Sequence, residues 1–476
     1  MLKSKFEQLK LEWNCTIASI FDDKFCELLD SNDELGQFQD NFLFPRSKSS
    51  VSGHVNYLCG NSLGLQPKGV IDAVSYHLQK WANEGVEGHF TQPNQWLTID
   101  DIVQNSSAQL VGALPHEVVI MNSLTCNLHL MMIPFYQPTT ERYKIIIEKK
   151  AFPSDYQAVQ SQIIFHGLDP RKCLIEVEPR QREELLRMED IEKVLHEHGS
   201  TTSLVLFSGV QYYTGQLFNM KQITAVAREC GCYVGFDLAH AVGNVILSLH
   251  EWGCDFACWC NYKYVNSGPG AIAGCFIHDR HSGRKETEIE KESDAAAPAE
   301  ADRQGKKRKR DEEEQEIGED VVPRRLAGWW GHRLHDRFQM APIFRPCVGA
   351  YGFRLSNPPV LMVACLRASL DLFDKAGMER LREKSLLLTG YLEILLDEWL
   401  SDKVAIISPR DPEQRGCQLS LCFHDGNVEK VHAELEKHDI VCDIRKPDVM
   451  RIAPTPLYNS YRDVYNFVNV LKSIIL

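Results

Sequence analysis

The chain has 476 residues, 44% hydrophobic and 25% charged, with a formal net charge of −13 and a pI near 5.7. That length can bury a large core in two or more structural units, and the acidic balance excludes a general nucleic-acid or anionic-membrane binder, which needs a basic face. Sixteen cysteines scatter through apolar segments without framework spacing, which excludes a disulfide scaffold, and no stretch approaches the ~20 uncharged apolar residues of a membrane span.

The first twelve residues carry charges throughout, unlike a secretory or transit peptide, so a cytoplasmic location is expected. Residues 1–50 read as an amphipathic helix (Phe6, Leu9, Leu11, Trp13, then Ile17, Ile20, Phe21) followed by an acidic connector. They are expected to form an N-terminal helical segment packed on a small domain. From Tyr57 to Pro67, Gly60, Asn61, Ser62 and Gly64 interrupt an apolar run. This suits backbone approaching a ligand or partner subunit, or an ordinary Asn-containing turn. A helix over Val70–Asn83 precedes a glycine-flanked loop carrying His89.

From Ala108 helix and strand patterns alternate. The strand Val118–Met121 leads through Asn122, Ser123, Leu124 and Thr125 into an apolar helix, and free N–H groups at that junction suit a phosphate, unless the hydroxyls serve only as caps. After the strand Tyr143–Glu148 come Phe152, Pro153, Ser154 and Asp155. Phe152 could stack on a planar ring and Asp155 accept a hydrogen bond from one, or the three residues after Phe152 merely start a helix. A buried strand ends at Ser208, a crossover helix spans Met220–Glu229, and the next strand ends on Asp237, with His240 a turn later. Such strand ends place ligands beyond the carboxyl edge of a mostly parallel sheet. Neither a Rossmann glycine pattern nor a P-loop occurs.

A second apolar and aromatic run delivers Lys263 between Tyr262 and Tyr264. Alone, Asp237 reads as a helix N-cap and Lys263 as a surface lysine. Together they meet the needs of pyridoxal phosphate chemistry: a carboxylate keeps a ring nitrogen protonated, and an amine holds an aldehyde. No metal site is expected. His196/His198 and His332/His335 lie in polar contexts and are read as solvated, and no Cys-x-x-Cys pair exists. Residues 281–322 lack large apolar side chains and are expected to be a disordered charged insertion. Its basic run Lys306–Arg310 reads as a self-neutralised solvated segment or as a nuclear-entry patch. Beyond it lie Trp329 and Trp330, Ser356 and Asn357, two helices starting near Val360 and Met378, and a strand-helix-strand-strand-helix tail in which Arg451 interrupts an apolar strand. A buried guanidinium there needs a carboxylate, either substrate or structural partner.

With Asp237, His240 and Lys263 joined by Phe-Pro-Ser-Asp, Gly-Asn-Ser-Leu-Gly-Leu-Gln-Pro and Arg-Ile-Ala-Pro-Thr-Pro-Leu-Tyr-Asn, nearly the whole chain resembles the kynureninase family, its eukaryotic members in particular. The charged insertion departs from the family pattern. The resemblance implies a fold-type-I homodimer of the aspartate-aminotransferase kind with active sites at the dimer interface. It implies a large cofactor-binding domain over 51–345 and a small α+β domain over 346–476. It makes Lys263 the Schiff-base lysine for pyridoxal 5′-phosphate, Asp237 the partner of the ring nitrogen and Tyr262 a proton relay. Leu124, Thr125, Phe152, Pro153, Ser154, Asp155, Ser208, His240, Trp329 and Asn357 complete the cofactor site. Arg451 takes the substrate α-carboxylate, while Ser62, His89, Ser356 and Asn357 surround its aryl ring. The implied reaction is hydrolysis of L-kynurenine or, by preference, 3-hydroxy-L-kynurenine to L-alanine and the aryl acid, in tryptophan catabolism and NAD biosynthesis. Another fold-type-I enzyme, a cysteine desulfurase or an aminotransferase, shares Asp237, His240 and Lys263, and a cofactor-free regulatory relative is the alternative of another class.

Overall fold

Apolar runs of strand length, with no alternating polar face, can satisfy themselves only inside a covered sheet. Six such runs and the half-buried edge strand Leu174–Val177 form one seven-stranded sheet in the computed structural model, which describes residues 2–13, 17, 19–47, 55–281, 324–340 and 342–476. They are β1 (Val118–Ile120), β2 (Lys144–Glu148), β3 (Leu174–Val177), β4 (Thr202–Ser208), β5 (Tyr233–Asp237), β6 (Phe256–Trp259) and β7 (Gly274–Ile277), in the order β1-β7-β6-β5-β4-β2-β3. Only β7 runs antiparallel to its neighbours, so the sheet is mostly parallel as expected.

Gly235 lets β5 and β6 meet: a Cβ there would lie 2.1 Å from the ring of Phe256. The crossover helix Met220–Glu229 is capped by the Asn219 side chain, which accepts from the Gln222 amide. It lays Met220, Ile223 and Ala227 on the sheet between β4 and β5. Two further helices, α1 (Leu124–Phe135) and α2 (Pro153–Phe165), follow β1 and β2 directly. These junctions bring four segments to one edge of the sheet.

A second apolar core forms around a four-stranded antiparallel sheet: β8 (Val404–Ile406), β9 (Leu419–Phe423), β10 (Asp443–Arg445) and β11 (Val449–Ile452), ordered β8-β9-β11-β10. Helices Met378–Leu400 and Tyr461–Ile475 cover it, and Phe6, Phe25 and Leu29 near the N-terminus join this cluster. The helix Val360–Ala376, placed in the small domain from the sequence, instead buries Val363, Leu366, Leu370 and Phe373 in the large-domain core. The chain passes between the two cores within the helix Met378–Leu400, whose Leu381 belongs to the first and Leu388 to the second. The charged insertion lies outside the described residues beyond His281, its basic run Lys306–Arg310 included. Among the described residues, no helix is long and apolar enough to cross a membrane.

Candidate active site

β5 delivers Asp237 to the sheet edge at 6% exposure, and a hydrogen bond from the Ala239 amide to Asp237 Oδ1 (2.8 Å) fixes its rotamer. Ser208 ends β4 as the register partner of Asp237. On the far side, Asn122 takes a left-handed φ of 50°, which asparagine tolerates, and the chain turns into α1 at Leu124. No side chain caps α1, so its first-turn N–H groups stay available. Thr125 Oγ1 and Ser154 Oγ are 2.8 Å apart, pairing the first turns of α1 and α2. Lys263 comes from the loop after β6, 9% exposed, with Nζ 5.7 Å from the ring centroid of Phe152 and 5.8 Å from that of Tyr262.

These segments enclose a cavity of about 220 Å³ lined by Leu124, Thr125, Phe152, Ser154, Asp155, Ser208, Asp237, His240, Tyr262 and Lys263, all expected from the sequence. Pro153 does not line it but begins α2 behind it, at a position that favours proline. Sequence reasoning missed Tyr212, which packs edge-on against Phe152 at 5.2 Å and also lines the cavity. Its place in the loop beyond β4 was the available signal.

Charge is concentrated here. Burial, reinforced by Asp237 with which it shares a hydrogen bond, raises the Asp155 carboxyl well above its ordinary range. His240 is held well below the ordinary histidine range by burial and then by the Lys263 ammonium, so its ring is neutral. Burial also raises the Tyr262 phenol, which keeps its proton. Two buried atoms of this cavity, Asp155 Oδ1 and His240 Nδ1, have no hydrogen-bond partner. Such orphans are costly unless a ligand satisfies them.

Pyridoxal phosphate fits these residues. The α1 amides, Thr125 and Ser154 suit a phosphate, the carboxyls of Asp237 and Asp155 suit a protonated ring nitrogen, Phe152 offers a ring face, and the Lys263 amine is close to that ring.

The other expected residues lie apart within one chain. His89, Trp329, Ser356 and Asn357 line a second cavity of about 450 Å³, with Val86, Phe90 and Phe338. Trp329, Phe338 and Phe90 are 46%, 51% and 54% exposed, leaving that cavity on an apolar face. Ser62 lines neither cavity. Its turn meets the chain's own backbone: the Gly64 amide donates to Tyr262 O (2.8 Å), and a Cβ at Gly64 would lie 2.3 Å from Lys263 O. Arg451, fully buried on β11, donates from Nε to Asp443 Oδ1 (2.6 Å), pairs through Nη2 with Asp443 Oδ2, and donates from Nη1 to Tyr212 O (2.9 Å). It is thus ion-paired within the chain, one residue's backbone away from the cavity lining.

His332, read as solvated, is 6% exposed, with Nε2 3.0 Å from Asp336 Oδ1. Outside the cavities, donor atoms of Glu117, His250, His278 and Asp279 converge within 4.8 Å. They pair with one another: His250 Nδ1 with Glu117 at 2.9 Å and His278 Nδ1 with Asp279 at 2.7 Å.

Residues 56–280 match the family model for class-V aminotransferases, and residues 381–471 match that for the kynureninase C-terminal domain. Kynureninase of Nematostella vectensis is 48% identical over 94% of this chain and 93% of that protein. Kynureninase of Homo sapiens is 44% identical over 95% and 93%. Among solved structures, the cysteine desulfurase CsdA of Escherichia coli superposes with a TM-score of 0.68 at 14% identity, over 92% of this chain and 98% of that one. A C-DES variant with glycine covalently linked to its PLP cofactor gives 0.67 at 17%, over 88% and 96%. At these identities the solved structures show the shared fold alone.

Proposed function

The chain belongs to the kynureninase family, and from that premise we propose that it hydrolyses L-kynurenine and 3-hydroxy-L-kynurenine to L-alanine and anthranilate or 3-hydroxyanthranilate, using pyridoxal 5′-phosphate. The observation that carries the reading is Lys263, buried against Phe152 and Tyr262 in a cavity where Asp155 and His240 keep orphaned polar atoms.

When bound, the cofactor supplies an aldehyde for amines and a ring that withdraws electrons. Lys263 Nζ would hold that aldehyde and, as a free amine, would take the proton from the substrate Cα. Asp237 holds a proton on the ring nitrogen, backed by Asp155. Thr125, Ser154 and the first-turn amides of α1 bind the phosphate. The phenol of Tyr262, protonated at neutral pH by its burial, relays a proton to the product carbon. Arg451, already engaged through Nε and Nη2 with Asp443 and through Nη1 with Tyr212 O, has one further N–H on each Nη that would meet the substrate α-carboxylate.

We assign the cavity around His89, Ser356 and Asn357 to the aryl ring of the substrate. Within one chain it is separate from the Lys263 cavity, so the reading includes a homodimer in which the apolar face of Trp329, Phe338 and Phe90 is covered by a second copy. Polar groups at His89, Ser356 and Asn357 suit a 3-hydroxylated ring, and the cytosol is the location that goes with this catabolic role. The test incubates the holoenzyme with each kynurenine in turn while L-alanine and the aryl acid are quantified. Equimolar products, formed faster from the 3-hydroxylated substrate, are expected, and cofactor-loaded protein that forms neither product overturns the reading.

A further inference from the structure

Ser208 is a cavity-lining hydroxyl whose hydrogen-bond partner comes from behind the site. Glu148 ends β2, two strands from Asp237 across the sheet, and is 3% exposed. Ser208 Oγ donates to Glu148 Oε1 at 2.6 Å, and the Ser208 amide faces both carboxylate oxygens at 3.3 Å. The sequence gives no hint of this, because a glutamate followed by Lys149 and Lys150 reads as surface charge. Lys149 does turn outward, to Glu176 and Glu178. Strand alternation sends Glu148 the other way, into the protein.

Among the described residues no lysine, arginine or histidine forms an ion pair with Glu148. Burial, with a contribution from the neighbouring Asp237, pushes its carboxyl up to about 7. A buried acid without a cation is an expensive way to fill space. What it supplies is direction. A hydroxyl has one proton and two lone pairs. With Glu148 ionised, the Ser208 proton is held by it, and Ser208 presents lone pairs to the cavity at the end it shares with Asp237 through their register pairing.

We propose that Glu148 is a positioning residue for the cofactor: it touches no ligand, but fixes the Ser208 hydroxyl as a hydrogen-bond acceptor toward the Asp155–Asp237 end of the cavity. The inference rests on the pyridoxal phosphate reading above. It adds a hydrogen-bond acceptor beside Asp237, matched to a cationic N–H donor on the ring.

The experiment measures the apparent dissociation constant of pyridoxal phosphate, by titrating stripped full-length protein, for wild type, Glu148→Gln, Glu148→Ala, Ser208→Ala and the double variant Glu148→Ala/Ser208→Ala. Glu148→Ala and Ser208→Ala each weaken binding about five- to tenfold, the size of one lost hydrogen bond. The double variant binds no more weakly than the worse single one, because both changes remove the same contact. Glu148→Gln keeps an acceptor for the serine proton and stays within about twofold of wild type, a rescue that a role in filling space or carrying charge does not predict. If Glu148→Ala does not fold, Glu148→Leu replaces it in the same cycle. Additive losses, a glutamine variant as weak as the alanine one, or variants indistinguishable from wild type overturn the role of Glu148. A wild-type protein that binds no pyridoxal phosphate overturns the functional reading instead.

Discussion

Replacing Asp155 by asparagine is expected to make the cofactor-free protein more stable and the cofactor weaker. Asp155 is 8% exposed, shares a hydrogen bond with Asp237, and leaves Oδ1 without a partner. Two carboxyls in such contact need a proton between them, and burial raises Asp155 so that it keeps one. The unfolded chain gives that proton up near pH 4, so above this point the folded state binds a proton that the unfolded state lacks, and stability falls as pH rises. The slope is about 1.4 kcal/mol per pH unit for as long as Asp155 stays protonated in the fold. An asparagine amide donates to Asp237 without a titrating proton. The variant's advantage is therefore near zero at about pH 4 and widens toward neutrality by that slope. Binding pays the opposite sign: losing an acidic partner for the ring nitrogen weakens pyridoxal phosphate by about ten- to a hundredfold, the worth of a hydrogen bond to a charged group. Denaturant unfolding of stripped wild type and Asp155→Asn across this pH range measures the difference directly, since the raised carboxyl of Glu148 contributes to both. A difference that does not change with pH, or a variant less stable than wild type at neutrality, refutes the reasoning.

Gly235→Ala drives a methyl to within 2.1 Å of the Phe256 ring and is expected to cost about 1–3 kcal/mol of stability through overpacking; an unchanged denaturation midpoint would count against the close packing of β5 on β6. Thr125→Val removes a hydroxyl that meets Ser154 at 2.8 Å, and pyridoxal phosphate affinity is expected to fall about five- to tenfold, with kcat at saturating cofactor little changed. A fall in kcat instead would move Thr125 from the phosphate to the chemistry. Arg451→Lys keeps the charge but loses the fork that grips Asp443. It is expected to raise KM for kynurenine about tenfold or more while cofactor affinity stays at the wild-type level, and an unaltered KM would make Arg451 purely a structural partner of Asp443.

The ends of several elements were legible because local chemistry sets them. The crossover helix Met220–Glu229 begins and ends where the sequence pattern places it, and two later helices start at Val360 and Met378 as that pattern expects. Asp237, Ser208 and the Asn122–Thr125 junction were legible for a related reason: a buried strand must end somewhere, and polar residues at that end mark the site edge. Strand direction was not. Gly274–Ile277 is as apolar as its parallel neighbours, and nothing local shows that it runs antiparallel. Nor could apolar content say to which core the helix Val360–Ala376 belongs, since a helix face is defined only by what covers it. Arg451 and Asp443 are eight residues apart in sequence but directly opposite in the β10–β11 register. That pairing depends on which strands are neighbours. Glu148 escaped notice because its charge, beside two lysines, looks like surface until strand alternation turns it inward. The separation of His89, Ser356 and Asn357 from the Lys263 cavity reflects three-dimensional distance that motif order does not carry.

The central claim is that Lys263 carries the cofactor in the cavity bounded by Asp237, Phe152 and Thr125. Its most direct measurement is borohydride reduction of the holoenzyme followed by proteolysis and mass mapping. The account predicts a reduced pyridoxyl group on Lys263 alone, and none fixed in Lys263→Ala under the same conditions. A label on another lysine, or one that persists in Lys263→Ala, would contradict it.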